Sequence, residues 1–181
     1  RMGRANILSY RVLFFEREEG FLPPDRYPVL AMAVAGSHDL PTLRGWWEGR
    51  DLDLQERLGL IPSPDEARRE RDARERDRRL LLVALRREGL LPAAGSSDAP
   101  PDVERLILAA HAFLANTPSL LALLQVDDLA AEAEPVNLPA TSTEHPNWRR
   151  RQSLTLEELA ESPALKATAA MLALARGKTQ V

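Results

Sequence analysis

Apolar positions along the chain gather into three short blocks and several amphipathic stretches. Residues 7–15 (ILSYRVLFF) are rich in β-branched and aromatic side chains and predict a buried strand. Residues 29–35 (VLAMAVA) are continuously apolar. Such a run suits a parallel strand covered on both faces, although a buried helix segment carries the same pattern. Residues 120–126 (LLALLQV) predict a third strand, ending at Asp127-Asp128. A charged, proline-containing loop over residues 16–28 separates the first two.

Helical signals fill the rest. Pro41 suits the first turn of a helix, with Asp39 as its candidate cap. Ser63-Pro64-Asp65-Glu66 is a capping-box start, and a helix runs from there to Glu88, where Gly89 stops it. Its first half is polar nearly all round; Leu80 to Leu85 is apolar. The expectation is a helix that begins in solvent and ends against a core, the alternative for its first half being a solvated face held by i,i+4 pairs. Residues 90–101 read as a Pro/Gly/Ser/Ala loop, and residues 103–115 as a helix with Val103, Leu106, Ile107, Ala110 and Leu114 on one face. Residues 134–151 lack periodicity and predict a long loop, ordered or disordered. Thr155 and Glu158 form another capping-box pair, and two short helices divided near Pro163 close the chain.

Strands separated by helical crossovers make an α/β protein. Three strands do not close a barrel, and the two most apolar ones need more cover than this chain supplies. A chain that opens on Arg1 and soon enters a strand reads as a piece of a longer protein. Composition narrows the function. With 24 basic and 27 acidic residues in 181, the net charge of −3 gives no electrostatic reason to expect nucleic acid or an anionic membrane as partner. The absence of cysteine removes disulfides and thiolate metal sites, and is compatible with a cytoplasmic home. No apolar run approaches the roughly 20 residues that cross a bilayer, and no signal-peptide block follows Arg1-Met2-Gly3-Arg4.

Chemistry concentrates where the second apolar block ends, at Gly36-Ser37-His38-Asp39-Leu40-Pro41-Thr42. In α/β barrels the carboxyl ends of strands carry the active site. From the residues alone, a site and a capping Asp beside a satisfied histidine both remain open. His111 on its leucine-rich helix reads as a packing or surface residue, and neither it nor His145 makes a metal cluster with His38. No phosphate-binding loop occurs, so neither metal nor cofactor is expected.

Gly36 to Trp47 resembles the Gly-Thr-His-Asp-Leu-Pro-Thr-Leu-x-Gly-Trp-Trp stretch of bacterial 4-alpha-glucanotransferases (amylomaltases). Val136-Asn137-Leu138-Pro139-Ala140-Thr141 and Glu144-His145-Pro146-Asn147-Trp148-Arg149 are similar to that family's Val-Asn-Leu-Pro-Gly-Thr and Glu-x-Pro-Asn-Trp-Arg. Ser9-Tyr10-Arg11-Val12-Leu13 with Phe15-Glu16-Arg17 is similar to its preceding strand. The departures are Ser37 for Thr and Ala140 for Gly, the second placing a non-glycine where positive φ is suspected.

The resemblance implies that residues 1–181 are the C-terminal part of a TIM (β/α)8 barrel, an incomplete one, supplying its sixth, seventh and eighth strands. It implies retaining transfer of α-1,4-glucan segments between maltooligosaccharides, with the remainder of its own barrel as partner. Such transfer uses two carboxyl groups about 5–5.5 Å apart and an oxocarbenium-like transition state. No residue here matches the family's nucleophile or acid/base. Asp39 is implied as the transition-state stabiliser, with His38 and Asn137 binding the same sugar. For Asn137 a loop-capping role stands beside this one. Trp46 and Trp47 are expected in the core, and one of Phe14 and Phe15 should point into the barrel. Two other readings remain: an α-amylase-type hydrolase, against which the Leu-Pro-Thr and Pro-Asn-Trp-Arg flanks argue, and a helical interaction module built on residues 63–88, which leaves those motifs unexplained.

Overall fold

The computed structural model describes residues 5–93 and 101–177, so residues 94–100 of the loop expected at 90–101 lie outside the described ones. Three strands, β1 (Ser9–Val12), β2 (Ala31–Val34) and β3 (Leu121–Leu123), pair in parallel in the order β1-β2-β3. Ser9 lies opposite Ala31 and Val12 opposite Val34; Met32 faces Leu121 and Val34 faces Leu123. All three are shorter than the apolar blocks that predicted them. After Val12 the chain tightens into a 3₁₀ turn, Leu13–Phe15, because the Glu16 N–H reaches back to the Val12 and Leu13 carbonyls at 3.2 and 3.3 Å. Phe14 and Phe15 therefore do not alternate across a strand as expected. Phe14 is half-buried and packs on Trp46 with ring centroids 4.9 Å apart, while Phe15 is exposed.

Seven helices surround the sheet among the described residues: α1 (Leu43–Glu48), α2 (Arg50–Arg57), α3 (Pro64–Arg87), α4 (Val103–Ala115), α5 (Val126–Leu129), α6 (Leu156–Glu161) and α7 (Pro163–Gly177). The first cap differs from the expectation. The Thr42 hydroxyl, not Asp39, accepts from the Gly45 N–H at 3.0 Å, and Pro41 sits before the helix rather than in its first turn. Gly49, at φ +82, then turns α1 directly into α2. Ser63 caps α3 by accepting from the Glu66 N–H. The other end closes in a Schellman motif: Leu90 N–H to Leu85 O and Gly89 N–H to Arg86 O, with Gly89 at φ +70. Thr155 and Glu158 form the reciprocal capping box of α6, and Ser162 separates it from α7, which is longer than expected at 15 residues.

Helix α3 does begin in solvent and end in a core. Leu81, Ala84 and Leu85 are buried, while most of its first half is exposed. That half is tied across to α2, beyond any i,i+4 pairing along its own face. Arg71 donates to Asp53 and Glu56, and Arg74 grips both carboxylate oxygens of Asp51 at 2.7 and 2.6 Å. Leu81 and Leu85 meet Leu43, Trp46, Ala33 and the buried face of α4, which includes Phe113, in one core. Trp46 is fully part of it and Trp47 packs against its edge, as expected of both. Ala31, Ala33 and Val34 are buried, whereas Tyr10, Leu121 and Leu123 stay about half-exposed. Within this chain β2 is the best sheltered strand; β1 buries only Val12, and β3 buries no residue.

Candidate functional site

The segment after β2 leaves the sheet at Gly36, whose carbonyl accepts from the Tyr10 hydroxyl at 3.2 Å. A Cβ on Gly36 would come within 3.0 Å of the Gln125 side chain, so the chain leaves the sheet here by a narrow path. A tight turn follows, with the Leu40 N–H donating to the Ser37 carbonyl and the Asp39 N–H to the Ser37 hydroxyl. This turn lifts His38 and Asp39 off the strand end, with side chains 57% and 52% exposed. His38 Nε2 lies 3.3 Å from Asp39 Oδ2. Asn137 Nδ2, 98 positions on in sequence, donates to Asp39 Oδ1 at 2.6 Å. The three residues singled out in the sequence thus converge: Asp39 Oδ1 is hydrogen-bonded from the protein side, and His38 stands beside Oδ2. A cleft of about 390 Å³ opens beside them, lined by Leu40, Pro41, Gln55, Leu60, Leu138 and Ala140 together with Asp39 and Asn137.

Asn137 belongs to the long loop at 134–151, which is ordered by its own side chains. Asn147 Oδ1 accepts from the Leu138 N–H at 2.8 Å, and its Nδ2 donates to Thr141 Oγ1 at 2.8 Å. The Thr141 hydroxyl in turn donates to the Leu138 carbonyl at 2.6 Å. Glu144 accepts from the Ser142 and Thr143 N–H groups, and these bonds, that from Ser142 first, hold its carboxyl below the usual carboxylate range. Ala140 adopts φ +66, as its place in a glycine motif suggested. An L-residue there costs about 1–2 kcal/mol. Ala140→Gly should therefore raise the melting temperature, with about 0.5–1 kcal/mol gained after the added freedom of the unfolded chain is set against the relief. A lowered midpoint in thermal denaturation would show that the alanine methyl matters more than the backbone.

The support beneath the site was not legible in the sequence. Asp128, fully buried on α5, accepts from the Leu43 N–H at 2.9 Å and so holds the start of α1. His111 is also fully buried, on α4, with Nε2 3.3 Å from Asp128 Oδ2, although the two are not aligned as a hydrogen bond. Of the packing and surface roles left open for His111, the buried one holds. The Thr42 hydroxyl donates to the Glu132 carbonyl at 2.6 Å, so the same turn is seated on α1's other neighbour, the segment following α5. Trp148 was also missed. Its ring lies 5.1 Å from that of His38, and the Asn-Trp-Arg motif was the available signal. Among the described residues, no His/Cys/Asp/Glu group of three or more gathers as a metal site, and no helix is long and apolar enough to cross a membrane.

A parallel α/β sheet that collects polar side chains at the carboxyl end of a strand has the general plan of an α/β enzyme. The particular family follows from comparison: residues 1–155 match the 4-alpha-glucanotransferase family model, and the chain belongs to that family. It is 33% identical over 172 residues to the 4-alpha-glucanotransferase of Haemophilus influenzae, covering 92% of this chain and 24% of that protein. It is 34% identical over 149 residues to the Mycobacterium tuberculosis enzyme, covering 79% of this chain and 20% of the relative. The crystal structure of amylomaltase from Corynebacterium glutamicum superposes with a TM-score of 0.85 at 26% identity, over 94% of this chain and 26% of that one. The fold is shared at 16% identity with the amylomaltase of Streptococcus agalactiae solved in complex with acarbose (TM-score 0.59, 97% of this chain and 28% of that one). The chain thus spans about a quarter of the length of the relatives it matches.

Proposed function

We propose that the complete protein is a 4-alpha-glucanotransferase acting on α-1,4-glucans, and that residues 1–181 are the C-terminal part of its catalytic (β/α)8 barrel. In this reading β1, β2 and β3 are the sixth to eighth strands, and the half-exposed residues beside β2 meet the remainder of the barrel. The observation that carries it is the engaged but solvent-open carboxylate of Asp39, held by Asn137 at 2.6 Å and flanked by His38 at 3.3 Å. A carboxylate fixed in this way can accept hydrogen bonds from neighbouring sugar hydroxyls without first reorganising, which favours the transition state as the sugar ring flattens. Neutral imidazole both donates and accepts, and an amide does the same, so His38 and Asn137 suit adjacent hydroxyls of one glucose. Asp39 is then the transition-state stabiliser. The nucleophile and acid/base come from the other three quarters of the protein, in a double displacement that retains configuration.

Incubating the complete protein with maltotriose tests this: glucose and longer maltooligosaccharides should appear together. Release of glucose and maltose without longer products would favour the hydrolase reading. The 181-residue chain by itself should produce neither, because no matched nucleophile or acid/base lies within it. Turnover of maltotriose by the purified chain would overturn the division of roles.

A further inference from the structure

Trp148 has φ +63, a left-handed backbone conformation that a bulky side chain rarely adopts. The surrounding loop enforces it. The Trp148 N–H closes the loop's neck by donating to the Val136 carbonyl at 2.9 Å, and Asn147 ties the interior of the loop to Leu138 and Thr141. If only the turn mattered, glycine would serve there without strain. Nor does burial account for the indole, which is 62% exposed. What the indole does meet is His38, with ring centroids 5.1 Å apart and planes inclined by 50°, a favourable geometry for an aromatic pair. Asn137, next to the neck on its other side, meets Asp39. One tied loop therefore touches both members of the His-Asp pair, one from each side of its neck.

We propose that Trp148 is a positioning residue for His38: its ring holds the imidazole where Nε2 faces Asp39. An exposed histidine on a turn otherwise divides its time among several rotamers, and its 3.3 Å approach to the carboxylate would be only partly populated. The kinetic consequence rests on the glucanotransferase reading; the contact itself does not.

The test uses the complete protein with ¹³C-labelled histidine and three substitutions: Trp148→Gly, Trp148→Phe and His38→Ala. The His38 ring-proton signal, identified by its loss in His38→Ala, should lie upfield in the wild type from the indole ring current and move downfield in Trp148→Gly. With maltotriose, Trp148→Gly should lower kcat/KM by about three- to tenfold, the scale of one aromatic pair, and Trp148→Phe should recover most of it. The melting temperature of Trp148→Gly should not fall, because glycine relieves the left-handed strain. Combined with His38→Ala, it should cost nothing further. An unmoved His38 signal in Trp148→Gly, or losses that multiply in the double variant, would overturn the proposal. Should Trp148→Gly fail to fold, Trp148→Asn, which also tolerates positive φ, takes its place with the same outcomes. A complete protein that does not turn over maltotriose sinks the functional reading instead, and the NMR arm then decides the contact.

Discussion

Asp39→Asn in the complete protein is expected to lower maltotriose disproportionation by about 10²–10³ in kcat, the usual loss when one preorganised stabilising group is removed. The substitution keeps size and shape and leaves one acceptor oxygen for the Asn137 amide, which bonds Oδ1 at 2.6 Å in the native site. It removes the negative charge and an acceptor that a developing oxocarbenium and its hydroxyls would use, and charge-assisted hydrogen bonds are roughly twice as strong as neutral ones. On the proposal that the interaction is made mainly in the transition state, kcat and kcat/KM should fall together with KM nearly unchanged. The melting temperature should not move, since Thr42 rather than Asp39 caps α1. Initial rates over a range of maltotriose concentrations and a thermal melt on the same preparations decide the matter. Turnover near that of the wild type in a stably folded variant would remove Asp39 from the catalytic role.

Gly45→Ala should be the most damaging small substitution in the described fold. In an exposed helix the change normally gains about 1 kcal/mol. Here the sign reverses. Helix α1 lies so close to the segment after α5 that a Cβ on Gly45 would overlap the Ala133 carbonyl oxygen and sit 3.1 Å from Thr42 Oγ1. The first of these is backbone and does not rotate away. Relief requires α1 to lift from residues 131–133, straining the Thr42–Glu132 and Arg44–Ala131 hydrogen bonds and the Asp128 grip on Leu43. Overpacking of this kind costs about 3 kcal/mol at the upper end of its usual range. Gly20→Ala, where nothing lies within 4 Å of the new methyl, is the matched comparison. Denaturant midpoints of the two variants in the complete protein should differ widely, with Gly20→Ala near the wild type. A Gly45→Ala protein as stable as its Gly20 counterpart would mean that the α1 seat is loose.

The elements of this fold were legible where one local signal decided them. Gly89 ended α3, Thr155 and Glu158 opened α6, and the run at residues 29–35 placed β2. The Asp39 cap went wrong because two residues near the helix start both suit a cap, and the choice depends on where the chain is anchored. Asp128 takes the Leu43 N–H from a distant element, which moves the helix start past Pro41 and leaves the cap to Thr42. The ends of β1 were misplaced for a related reason: apolar Leu13 and Phe14 serve the core equally well from a 3₁₀ turn. At the site, His38, Asp39 and Asn137 were singled out by motifs that resemble a known family's, and the contact that joins Asn137 to Asp39 across 98 positions was not itself legible. His111, Asp128 and Trp148 act through contacts across many positions of sequence, and no spacing rule reports those.

The seam between α2 and α3 is graded along its length, and ionic strength should act on its two ends differently. At the outer end Arg71 reaches Asp53 and Glu56 with all three side chains about half-exposed. One turn further in, Arg74 and Asp51 are only 11% and 6% exposed, and the guanidinium also lies over the Trp46 ring. Added salt shortens the screening length from about 10 Å at 0.1 M to about 3 Å at 1 M. That weakens the Arg71 cluster and leaves the Arg74 pair, sheltered from counterions, nearly untouched. Concentrated salt should therefore fray the first turns of α3 as far as Arg74 and no further, visible as faster amide hydrogen exchange before that residue and unchanged exchange after it.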